Sequence, residues 1–147
     1  MNTEFNFESD SENIHATVHL SMTKKGKVKV IINEYETAEQ DGHCKKQKIK
    51  LDSAESHRLL NNLEIKYNEY ANNLPTYSKE YFTKSYEAGV STWMLSDRSL
   101  FGIATCVAGE IHNVAFFRLR KYREFIDSLK ILVERQEEML RVASLEK

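Results

Sequence analysis

The residues best suited to chemistry are lysines spaced two apart: Lys27 and Lys29 in one apolar segment, and Lys46, Lys48 and Lys50 in another. Side chains of an extended chain alternate between faces. If Val28, Val30, Ile49 and Leu51 point inward, these five lysines share the opposite face, with Lys24, Lys25 and Lys45 at its rim. A flat lysine surface attracts a phosphate backbone and gains from counterion release. Single-strand binding also needs aromatic rings on which bases stack. Tyr35, Trp93 and Phe116 are the candidates, and Phe116 shares its face with Arg118 by alternation. The competing reading is ordinary: lysines keep a sheet face soluble, and on an edge strand they block aggregation. Trp93 and Phe116 equally suit a core.

Other chemistry finds little support. His15 and His19 are four apart but lie in a strand pattern, where that spacing does not converge on a metal. His43, Cys44 and His112 lack a nominated fourth ligand, so neither metal nor cofactor is expected. No nucleophile elbow, phosphate loop or glycine-rich dinucleotide turn is present, and the expected protein is not an enzyme. His57 reads as a surface residue. Glu134, Arg135, Glu138 and Arg141 read as a solvated helix face.

The elements that position the lysines follow from periodicity. Ala16, Val18, Leu20 and Met22 alternate with polar residues, and Thr23-Lys24-Lys25-Gly26 supplies a turn. The return strand carries Val28, Val30 and Ile32. A polar loop over 37–43 leads to a strand ending at Leu51. Asp52 and Glu55 form a capping box for a helix with Leu59, Leu60, Leu63, Tyr67 and Tyr70 on one stripe. Pro75 restricts Leu74 away from helix. Residues 76–88 suit either a short helix or a strand, and the repeat described next favours strand.

The pattern then recurs. Val90–Leu95, Leu100–Val107 and His112–Leu119 read as strands, the last running into a helix with Tyr122, Phe125, Ile126, Leu129, Leu132, Val133, Met139 and Leu140. The fold expected is α+β: two pseudo-repeats, about 15–73 and 76–140, of antiparallel strands followed by a long amphipathic helix. Each helix is expected to back its own sheet, with the sheets either merged or packed together. The domain spans 15–147, preceded by an acidic segment, 1–14, in which Phe5-Asn6-Phe7 suits an edge strand or a frayed end. Glu4, Glu8, Asp10 and Glu12 are either a solvated tail or a shield for the lysines.

The chain has 147 residues and a formal net charge of −1, so nucleic-acid binding requires a local patch. Two separated cysteines, no leader pattern at Met1–Phe5 and no membrane-length apolar run give an expected cytoplasmic location.

The doubled strands-then-helix order over residues 15–140 resembles the Whirly and PUR-repeat group. The nearest local echoes are Lys46-Gln47-Lys48-Ile49-Lys50-Leu51 and Phe116-Phe117-Arg118-Leu119-Arg120, each entering its helix. The resemblance implies single-stranded DNA or RNA binding on sheet faces. The expected site is Lys27, Lys29, Lys46, Lys48 and Lys50 on phosphates, with Trp93, Phe116 and Arg118 contributing stacking and charge. The alternative is a small inhibitor or adaptor module acting on a protein partner. A third expectation is a homodimer through the C-terminal helix, whose Ile126, Leu129, Val133, Gln136 and Leu140 fit a short seam.

Overall fold

Among the described residues, alternating apolar residues produce eight strands, and two longer stripes produce helices. The structure, a computed structural model, describes residues 4–10, 15–35, 44–72, 80–82, 89–95, 100–107 and 110–145. The first unit contains β1 (Glu4–Glu8), β2 (His15–Met22), β3 (Val28–Tyr35), β4 (Cys44–Leu51) and α1 (Ser53–Ala71). The second contains β5 (Glu80–Phe82), β6 (Gly89–Leu95), β7 (Leu100–Val107), β8 (Glu110–Arg118) and α2 (Leu119–Leu145). Each unit forms its own four-stranded antiparallel sheet in sequence order, so the sheets do not merge. Within the ambiguous stretch 76–88, residues Glu80–Phe82 are strand, pairing with β6; the rest lies outside the described residues.

The acidic segment 1–14 supplies β1. Phe7 explains why: it is buried against Phe117 and Phe125, at ring-centroid distances of 6.0 and 5.3 Å. Phe5, half-buried against the same core, helps Phe7 hold the strand onto β2.

α1 starts at the expected capping box: the Asp52 side chain accepts the Glu55 N–H, and the Glu55 side chain accepts the Asp52 N–H, both at 2.9 Å. Its apolar stripe buries Leu59 and Leu63. α2 buries Tyr122, Phe125, Ile126, Leu129, Leu132 and Val133. The expectation that each helix backs its own sheet is corrected. α2 lies against β1, β2 and β3 as well as β7 and β8, while α1 touches β4, β5 and β6. The cause is the width of the α2 stripe, whose buried residues between Tyr122 and Gln136 span more of the helix surface than one sheet covers.

Two buried side chains of α2, Tyr122 and Gln136, make polar contacts that pin the helices. The Tyr122 hydroxyl donates to the Leu63 carbonyl at 2.7 Å, and its ring stacks on Phe101. Gln136, fully buried, donates to the Gly26 and Leu51 carbonyls and pairs with the Ser56 hydroxyl. Gly26 itself has φ +81°, the left-handed region its turn requires.

Candidate nucleic-acid interface

The pairing register of the first sheet arranges its outer face in rows across the four strands. One row is Glu4, Ser21, Lys29, Lys50; the next is Asn6, His19, Ile31, Lys48; the third is Glu8, Thr17, Asn33, Lys46. The opposite face carries Val18, Leu20, Val28, Val30, Ile32 and Leu51, all buried in the core. Lys46, Lys48 and Lys50 are exposed, and Lys29 is half-buried. Among the described residues none of these four makes an ion pair.

Lys29 and Lys50 face each other directly across the β3–β4 ladder. Like charges so placed repel one another. Lys46, Lys48 and Lys50 are two residues apart along β4, about 6.8 Å in an antiparallel strand. Ile31 lies among them and is only 8% exposed, so the charged stems pack over an apolar centre. Among the described residues in these three rows, the lysines lie on β3 and β4. β1 presents Glu4, Asn6 and Glu8, and His19 turns towards this edge, with its Nδ1 2.7 Å from Asn6 Oδ1.

The remaining sequence candidates are placed differently. Lys27 lies in the turn before β3; it is half-buried, and its backbone is tied to Thr23. Lys24 and Lys25 are exposed at the hairpin tip. The Lys45 and Trp93 side chains lie outside the described residues. Tyr35 is half-buried in the row next to Asn33 and Lys46, so it is the aromatic residue on the lysine face.

Phe116 and Arg118 belong to the second sheet, which separates them from the lysines by fold. Phe116 is half-buried and Arg118 exposed, opposite the buried Phe117. The register aligns the backbone positions Trp93, Gly102 and Phe116 in one row of that sheet.

The free edge of β8 is closed by the first unit. The N–H groups of Val114, Phe116 and Arg118 donate to Glu34 Oε1, Ser9 Oγ and Asp10 Oδ2, at 2.9, 3.0 and 2.9 Å. Asp10 also accepts from Lys121 Nζ at 2.8 Å. Its carboxylate therefore serves the sheet edge and the start of α2 rather than covering the lysines. Sequence reasoning missed this role because it joins residues more than 100 positions apart.

His57, expected to be a plain surface residue, is half-buried and bridges two elements. Its Nδ1 is 2.8 Å from the Ser53 carbonyl, and its Nε2 meets Glu137 of α2. The Ser53 carbonyl raises its pKa above the usual 6.5, with Glu137 adding to the effect against the opposing influence of burial. Among the described residues no group of three or more His, Cys, Asp or Glu side chains could hold a metal ion. No helix of the described residues is long and apolar enough to cross a membrane. Neither a family model nor a curated protein matches the chain.

Proposed function

We propose that the protein binds single-stranded nucleic acid along β3 and β4, with Lys29, Lys46, Lys48 and Lys50 contacting successive phosphates. The observation that carries this reading is the Lys29–Lys50 juxtaposition, extended by Lys46 and Lys48, with no acidic partner among the described residues. Such a face costs stability in the free protein and gains when a polyanion releases its counterions. Edge lysines that only block aggregation would not require a third strand's Lys29 in register with them. Tyr35 supplies a stacking surface at one end of the face. Lys24, Lys25 and Lys27 at the hairpin extend the positive field, and Phe116 and Arg118 offer a second contact area on the other sheet. The element order shared with the Whirly and PUR-repeat group supports the reading, as does the cytoplasmic location expected from the sequence.

The test is fluorescence anisotropy with labelled single-stranded and duplex oligonucleotides at two salt concentrations. Salt-sensitive binding that favours single strands is expected. No binding at low salt would sink the proposal.

A second reading is a protein-binding module. The last turns of α2 leave Leu140, Val142 and Leu145 at 45, 40 and 72% exposure, a surface suited to a helix or groove of another chain, including a second copy. A salt-insensitive complex with one protein, and no affinity for oligonucleotides, would favour it.

A further inference from the structure

We infer that Glu4 and Glu8 on β1 make the lysine face reject duplexes, so that the acidic edge, as well as the lysines, sets the preference for single strands. The inference rests on nucleic-acid binding at this face.

The argument begins with distance. β1 and β4 are the two edge strands of one four-stranded sheet. Neighbouring strands are about 4.8 Å apart, which puts the acidic edge about 14 Å from the β4 lysines. The cross-strand rows place Glu4 level with Lys50 and Glu8 level with Lys46. Both glutamates are exposed, and the nearest cation-forming group to Glu4 is His19 Nε2, 4.0 Å away. The face thus changes sign across its width, with Ser21, Thr17, Ile31 and Asn33 between the two borders.

A single strand held along β4 lies about 14 Å from the glutamates, beyond the screening length of about 10 Å at 0.1 M salt, and comes within about 10 Å of β1 only where it reaches Lys29. The glutamates barely affect it. A duplex has a second backbone, separated from the first by a groove about 6 or 12 Å wide. With one backbone on β4 and the wider groove facing the sheet, the second falls between β2 and β1. There its phosphates meet Glu4 and Glu8 at short range, where screening is weak, and find no lysine to replace their released counterions. Specificity built on repulsion of the wrong ligand is a general device. It explains why an edge strand beside a lysine surface keeps two carboxylates on that same face, when strand alternation would equally accept neutral residues there.

The experiment compares the parent with Glu4→Gln/Glu8→Gln, using single-stranded and duplex oligonucleotides of equal length at about 0.1 M salt. Glu134→Gln, on the far side of α2, controls for a change in net charge. Both glutamates of β1 are exposed, so the variant should keep the parent's unfolding midpoint. Duplex affinity should rise about three- to fivefold and single-strand affinity less than twofold, narrowing the preference; Glu134→Gln should leave it unchanged. Equal shifts for both ligands, or none, overturn the inference while leaving the binding reading intact. Failure of the parent to bind any oligonucleotide removes both.

Discussion

Glu34 and Val114 join the two sheets: the Glu34 carboxylate accepts the Val114 N–H at 2.9 Å, bringing the end of β3 onto the free edge of β8. Two residues earlier on β3, the Ile32 carbonyl accepts from Asn113 Nδ2 at 2.7 Å. Glu34→Ala leaves one β8 donor without its charged acceptor. It should lower stability by about 1–2 kcal/mol, measured by urea unfolding. An unchanged midpoint would show that this edge does not need closing.

Lys29 and Lys50 should show opposite effects on stability and binding. Lys29→Gln/Lys50→Gln removes the facing like charges and should raise stability by a few tenths of a kcal/mol. The same variant should weaken oligonucleotide binding and reduce the slope of log affinity against log salt by about 1.4–1.8. Thermal unfolding and anisotropy check the two halves separately. A variant that binds as tightly as the parent would exclude this face.

Gln136 is fully buried, with both amide groups engaged. Gln136→Leu keeps the volume but removes the donor to the Gly26 and Leu51 carbonyls, while the Ser56 hydroxyl keeps the Asp52 and Ser53 carbonyls. A loss of about 2–4 kcal/mol in chemical unfolding is expected. A stabilised variant would show that the Gln136 contacts contribute less than a well-packed apolar side chain.

His57 gives a pH dependence with a definite sign. Both ring nitrogens face acceptors, which suits the protonated ring. Its pKa is raised above 6.5 in the folded state, by the Ser53 carbonyl first and by Glu137 second. The stabilisation is therefore complete below the unfolded value and lost as pH rises through the folded one. NMR titration should place His57 above its free value, and Glu137→Gln should lower it. The stability difference between parent and variant should be largest below pH 6.5 and shrink above it. Identical titration curves would remove Glu137 as a partner.

Much of the fold was legible in the sequence because alternation, capping and helical stripes are local signals. Val18, Leu20, Val30 and Ile32 mark their strands directly, and Asp52 with Glu55 marks the start of α1. The grouping of Lys29, Lys46, Lys48 and Lys50 was legible for the same reason. What failed to show was everything set by pairing between distant segments. Alternation put Lys27 on the lysine face, but the turn runs one residue further than expected, through Lys27, and β3 starts at Val28. Phe116 and Arg118 could be assigned to a face of the second repeat, but no local rule says whether its sheet merges with the first. The acidic edge of β1 follows only once the register of β1 on β2 is known. Ser9, Asp10 and Glu34 look like loop and tail residues until β8 arrives beside them.

The wide stripe of α2 covers parts of both sheets, so neither half of the chain is complete alone. A cut in the connection after Asn72 would give one fragment whose sheet lacks its cover and another whose edge strand lacks its closing side chains. Neither fragment would hold its shape, yet each carries the piece the other lacks. Mixed together they should rebuild the native assembly from two separate polypeptides. The protein is thus divisible as a complementing pair, although its repeats are not independent modules.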